Sequence, residues 1–187
     1  NPFSNYKTTL FGSIDSQDET IIFKSLKYLY PEGTKDLINK KQCLIFVPHE
    51  TDTKTLTRLT NQLEKLSFKY CKYSEYLSNQ ENDYVMIIDS VGLLADLYSY
   101  ADKAYVGGGF SRGVHSVLEP AIYNCSIAHG PNIEMLDEAK LLVKNNYSHI
   151  IANQNDMNNF LVAEYTTKNY NLFFNHSSEE ILRHILL

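Results

Sequence analysis

The chain has 187 residues, of which 43% are hydrophobic and 21% charged, and at that length roughly 70% of the unfolded surface is buried on folding. A full core therefore forms without staples, and disorder and fibrous repeats are excluded. The formal net charge of −5, with no Lys/Arg run longer than Lys40-Lys41, excludes nucleic acid as the main partner, because neutralising a phosphate backbone needs clustered cations.

Short apolar runs alternate with helix-like segments from end to end, the pattern of a parallel sheet with crossover helices. The expected class is α/β, a Rossmann-like parallel sheet flanked by helices. A first strand reads Thr8 to Phe11 and closes on Gly12-Ser13. A helix from Ser16 or Asp18 to Tyr30 follows, broken by Pro31-Glu32-Gly33. Cys43 to Val47 forms a second strand ending at Pro48, and a helix then carries Leu56, Leu59, Leu63 and Leu66 at three- and four-residue spacing. Ser67 to Cys71 reads as a short strand and Tyr73 to Asp83 as polar loop. Val85 to Ile88 is the most apolar strand, and Asp89-Ser90 leads into a helix from Val91 to Tyr100. Lys103 to Val106 is a strand running straight into Gly107-Gly108-Gly109. A helix from about His115 to Tyr123, a strand from Ser126 to Ala128, Gly130-Pro131 and a helix to about Asn145 complete the body. The tail predicts a strand from His149 to Ala152, a helix from Asp156 and a last helix from Ser178.

Cys43, Cys71 and Cys125 lie far apart with no CxxC spacing, which encodes neither a zinc site nor a disulfide framework and fits reduced, buried thiols in a cytoplasmic protein. No stretch approaches the roughly 20 apolar residues that cross a bilayer, and no signal-peptide pattern opens the chain. A start at Asn1-Pro2-Phe3, without an initiator methionine, reads as a piece of a longer protein.

In open parallel sheets ligands bind beyond the carboxyl ends of the strands. Four loops qualify: Gly12-Ser13, Pro48-His49-Glu50, Asp89-Ser90-Val91-Gly92, and Gly107 through Glu119. The last is the richest, since its glycines admit close backbone approach and the helix after it offers unpaired N–H groups to an anion. A dinucleotide fingerprint fails because Arg112 stands where glycine is required, and a phosphate-loop match from Gly108 to Gly113 fails because Val114 replaces lysine. His115, Ser116 and Glu119 fall within about one helical turn, and a carboxylate there suits the paired hydroxyls of a ribose. Alternatives remain for each: a turn that only needs glycine, a capping or core histidine, and a first-turn glutamate favoured by the helix dipole.

Residues 87–139, IIDSVGLLADLYSYADKAYVGGGFSRGVHSVLEPAIYNCSIAHGPNIEMLDEA, resemble the C-terminal half of the Kdo transferases, which move 3-deoxy-D-manno-octulosonic acid (Kdo) from CMP-Kdo to lipid A precursors. The similarity extends upstream to LFGSIDSQDE and LIFVPHE and downstream to about Glu164. It implies one half of a GT-B glycosyltransferase. Residues 1–187 would be the single C-terminal domain that binds the nucleotide sugar, with the acceptor domain and the catalytic base in an N-terminal half outside this chain. The implied donor-binding residues are Gly12, Ser13, Pro48, His49, Ser90, Gly92, Gly107, Gly108, Gly109, His115, Ser116 and Glu119, with Glu119 on the ribose. No residue of this chain is then catalytic, and neither a metal nor a cofactor beyond the CMP-Kdo donor is implied. The full-length protein would meet its lipid A precursor at the cytoplasmic face of the bacterial inner membrane.

Two departures from the family pattern stand out. The motif His-Asn-Pro-Leu-Glu-Pro reads His115-Ser116-Val117-Leu118-Glu119-Pro120 here, and the Arg-His that commonly follows the strand proline reads His49-Glu50. Arg112 is a substitute phosphate partner or a solvated loop residue. Rival readings are another GT-B enzyme, such as a UDP-sugar transferase or epimerase, and a non-catalytic nucleotide-binding module.

Overall fold

Strands whose neighbouring residues are both apolar must bury both faces, and this dictates a sheet sandwiched between helical layers. The computed structural model describes residues 6–76, 84–165 and Tyr170. In it, β1 (Lys7–Ile14), β2 (Gln42–Pro48), β3 (Cys71–Lys72), β4 (Val85–Ile87), β5 (Lys103–Val106), β6 (Ser126–His129) and β7 (Ser148–Ile150) form a seven-stranded sheet in the order β3-β4-β2-β1-β5-β6-β7. Every pairing is parallel.

Alternation along the strands divides the core in two. Phe11, Phe46, Tyr105 and Ala128 face α1 (Ser16–Leu29), α3 (Thr53–Lys65) and α8 (Gln154–Val162), where they pack with Ile22, Phe23, Leu59, Leu63 and Met157. Leu10, Ala104, Val106 and Ile127 point the other way, against Tyr98, Val117, Ala121, Ala139 and Leu142. Those partners belong to a 3-10 turn (Tyr98–Tyr100), to α6 (Leu118–Ile122) with its approach, and to α7 (Asp137–Lys144). On the first side Phe46 stacks between Phe11, at 4.9 Å, and Phe23, at 5.8 Å. All three cysteines are buried thiols outside any disulfide, and burial pushes the Cys43 and Cys125 thiols up to about 12, which leaves these two inert at neutral pH.

Several predicted boundaries move, each for a local reason. β1 runs on to Ile14, because Gly12, Ile14 and the β2 residues Val47 and Pro48 continue the ladder. A short helix missed by the sequence pattern, α2 (Thr34–Lys40), follows Gly33, with Leu37 its single buried residue. The strand predicted at Ser67 to Cys71 shrinks to β3. Ser67, at φ 60, follows the α3 C-cap Leu66, and Ser67 and Phe68 N–H donate back to Glu64 O and Leu63 O, so this stretch ends a helix instead of pairing in the sheet. Tyr73–Tyr76 forms a short helix (α4) within the predicted loop, whose residues 77–83 lie outside the described ones.

The helix predicted from Val91 begins instead at Leu94 as α5 (Leu94–Leu97) and tightens into the 3-10 turn, since Gly92 at φ 84 cannot belong to it. β7 starts one residue earlier than predicted and stops at Ile150. α8 starts at Gln154, not Asp156: Asn153 caps it, and Asp156 is the third-position partner of that capping box. The helix predicted from Ser178 lies outside the described residues.

The helix predicted from His115 is also shorter, which bears on function. α6 begins at Leu118, so His115 and Ser116 sit in the loop before it. A helix starting at His115 would place Pro120 in its interior, where the ring removes a hydrogen bond and clashes with the preceding turn. Starting at Leu118 puts Pro120 in the first turn, where no N–H is needed. At five residues, α6 is too short to supply the anion-binding N-terminus expected from the sequence.

Candidate functional site

The chain places β2 on one side of β1 and later β5 on its other side, which makes the carboxyl end of β1 the switch point at which open parallel sheets bind ligands. Gly12 and Ser13 lie just before Ile14, the last residue of β1, Pro48 ends β2 with His49 next to it, and Gly107 to Gly109 leave β5. These converge. Gly107 N–H donates to Gly12 O at 2.8 Å, His49 N–H to Ile14 O at 2.9 Å and His115 N–H to Gly107 O at 3.1 Å. A Cβ on Gly107 would stand 2.3 Å from the Ser13 carbonyl oxygen, which explains the glycine by close packing of two backbones.

Ser13 Oγ and His49 Nδ1 share a hydrogen bond at 3.0 Å. The His49 ring stacks on His115, with centroids 4.7 Å apart and planes 20° from parallel. Glu50 lies 3.8 Å from the other His49 nitrogen. Burial and the neighbouring His49 both hold His115 below the ordinary histidine range, against the opposing pull of Asp15. The His115 ring makes no hydrogen bond with a described residue, which leaves its nitrogens open to a ligand.

The first turn of α1 fixes the Gly-rich loop, a role the sequence reading missed. Asp15 caps α1 and accepts from the amides of Gln17 and Asp18, while Asp18 accepts from the Asp15 amide at 3.0 Å. Asp18 is fully buried and also accepts from Gly108 N–H at 2.9 Å and from the Tyr105 hydroxyl at 2.7 Å. Ser111 donates its hydroxyl to Asp15. Burial raises the Asp18 carboxyl above its usual range against these donors. For Asp15, hydrogen bonds from Ser111 and the two amides outweigh a burial effect of the opposite sign and lower it. Gly108, at φ 87, is thus held in a left-handed conformation with its N–H already engaged. Gly107 and Gly108 are closed against the protein itself: their N–H groups are engaged, and their side-chain-free faces pack on the Ser13 backbone and on Gly113 O with the His115 ring. The Asp-x-x-Asp spacing at a helix start was the available signal, since it marks a capping box; its partners 90 residues away left no trace in the pattern.

The other predicted residues stand further out. Glu119, half-buried in the first turn of α6, acts through space on the buried Tyr98 hydroxyl, raised chiefly by burial and then by that charge. The same hydroxyl lies against Gly12. Ser116 is exposed beside His115, and Ser90 and Gly92 follow β4, two strand positions from β1. Among the described residues no three His, Cys, Asp or Glu side chains form a group that could hold a metal ion. No helix among them is long and apolar enough to cross a membrane.

An all-parallel seven-stranded sheet flanked by helices, with its switch point between β1 and β5, is a Rossmann-like domain of the GT-B kind. No family model matches the chain. A 3-deoxy-D-manno-octulosonic acid transferase of Rickettsia prowazekii is 32% identical over 160 residues, covering 85% of this chain and 33% of that protein. The C-terminal CMP-Kdo binding domain of WaaA from Acinetobacter baumannii has the same fold, with a TM-score of 0.70 and 20% identity over 86% of this chain and 81% of that one. A trehalose 6-phosphate synthase of Burkholderia multivorans matches more loosely, with a TM-score of 0.53 and 10% identity over 89% of this chain and 38% of its own. By sequence the chain is a relative of the Kdo transferases. It spans about a third or less of the length of the curated relatives it matches.

Proposed function

We propose that this chain is the donor-binding domain of a Kdo transferase and holds CMP-Kdo in the crevice at the carboxyl ends of β1, β2 and β5. The observation that carries this reading is the convergence of Ser13, His49, Gly107 and His115 at the switch point, within segments that resemble the Kdo transferases. Glu119 would accept from the ribose hydroxyls, Ser116 would face the ligand beside it, and Ser90 and Gly92 would close the crevice from the β4 side.

The reaction joins an acceptor hydroxyl to the anomeric carbon of Kdo and releases CMP. The catalytic base, the acceptor domain and the contact with lipid A precursor at the inner membrane would belong to the rest of the protein. This chain's share is to bind and orient the donor, with the imidazoles close to the charge that develops on the departing phosphate. No metal is required in this reading.

Competition calorimetry tests it, with CMP displacing donor in the presence of EDTA and UDP failing to do so at equal concentration. A preference for UDP supports the second reading, a UDP-sugar GT-B enzyme. Binding that disappears with EDTA contradicts the metal-free account.

A further inference from the structure

Among the described residues no lysine or arginine is ion-paired or hydrogen-bonded to Ser13, His49 or His115; Arg112 of the Gly-rich loop is exposed, and the basic side chains in contact with each other at the switch point are His49 and His115. Their rings are parallel and 4.7 Å apart, a spacing at which two positive charges repel strongly in a partly desolvated site. One ring is fixed, since His49 Nδ1 is tied to Ser13 Oγ. The other is half-buried with open nitrogens. We infer that the stacked pair is the phosphate-binding element of the site and that its half-buried member, His115, takes up a proton as the phosphodiester of the nucleotide binds. This rests on the donor-binding reading above and adds to it the charge state in which the donor is held.

The groups facing the pair from each packed element agree with this assignment. From the β1 end come the Ser13 hydroxyl and the Asp15 carboxylate, and from the loop after β2 comes Glu50, 3.8 Å from His49 Nε2. Asp15 favours a charged His115, whereas burial and His49 disfavour it. The empty site therefore holds His115 neutral near pH 7. A bound phosphodiester adds one negative charge beside the rings and moves the balance toward the cation. The proton comes from solvent and returns when the nucleotide leaves. Affinity then rises as pH falls through the value of the occupied site and levels off below that of the empty one.

The test is calorimetry on the 187-residue chain with the methyl ester of cytidine 5′-monophosphate, whose single phosphodiester charge does not titrate in this range. Affinity should rise roughly tenfold from pH 8 to pH 6, and the heat at pH 7 should vary with the ionisation enthalpy of the buffer in the sense of proton uptake. Cytidine, which lacks the phosphate, should bind with no such dependence. His115→Gln should bind the ester more weakly at pH 6 and show a flat profile. Because the pH and buffer measurements use the unaltered chain, they decide the matter even if that variant fails to fold. An ester that binds with flat affinity and no proton uptake overturns the proton-uptake inference and leaves the donor-binding reading standing. An ester and CMP that both fail to bind at millimolar concentration overturn the reading, and the inference with it.

Discussion

The loops after β5 and β4 both lie at the carboxyl edge of the sheet and both contain glycine, yet they are built differently. In the loop after β5, Gly107 and Gly108 N–H groups are engaged, Ser111 and Gly113 amides donate to Gly108 O, and Asn132 donates to Gly109 O and Ser111 O. Val114 N–H closes the segment onto Asn132 O. After β4, the Asp89 carboxylate accepts from the amide and hydroxyl of Ser74, while Val91 is 81% exposed and a Cβ on Gly92 would meet nothing within 4 Å. The first loop is prearranged, so a ligand meets it without an ordering cost. The second is free to adapt, as elements with few buried contacts are.

The sharpest way to break this comparison is at its glycines. Gly107→Ala drives a Cβ into the Ser13 carbonyl, with backbone on both sides unable to yield, and should cost about 3 kcal/mol or more in denaturant unfolding. A loss below 1 kcal/mol would mean that the two backbones separate easily. Next comes the Asp18 anchor. Asp18→Ala leaves the Gly108 amide and the Tyr105 hydroxyl buried without an acceptor and should cost about 2 to 3 kcal/mol. Asp18→Asn should cost far less, because the Tyr105 hydroxyl can turn and accept from the new amide while the remaining oxygen keeps the Gly108 and Asp15 N–H groups.

Glu119→Gln moves the readout from stability to binding. Replacing one acceptor oxygen of the carboxylate by a donor should weaken CMP about tenfold to a hundredfold. Wild type should discriminate against 2′-deoxy-CMP and the variant should not. Equal discrimination by both proteins would remove Glu119 from the ribose. The smallest effect is expected in the open loop: Gly92→Ala strains a left-handed residue without a clash and should cost about 1 kcal/mol. A loss matching that of Gly107→Ala would erase the distinction between the loops.

Legibility in the sequence followed the range of the interactions. β5 and its glycines read correctly because an apolar run beside glycine is local information, as is the leucine spacing of α3. The sequence pattern places the start of α6 three residues too early because the Ser116 to Glu119 spacing looks helical, and only the ties of Val114 and His115 to Asn132 and Gly107 show that the chain is held in a loop there. α2 escaped notice because a seven-residue helix burying one leucine has almost no periodicity. Of the candidate site, the loops were legible from topology alone. The His49–His115 stack and the Asp18 anchor were not, since each joins residues more than 60 positions apart.

The most direct test of where this domain works is an amide chemical-shift titration of the isotope-labelled 187-residue chain with CMP. The account predicts shifts concentrated at Gly12, Ser13, His49, His115, Ser116 and Glu119, with smaller ones at Ser90 and Gly92, and none along α8 and β7. Shifts centred on α8 and β7 with the β1, β2 and β5 ends silent would contradict it.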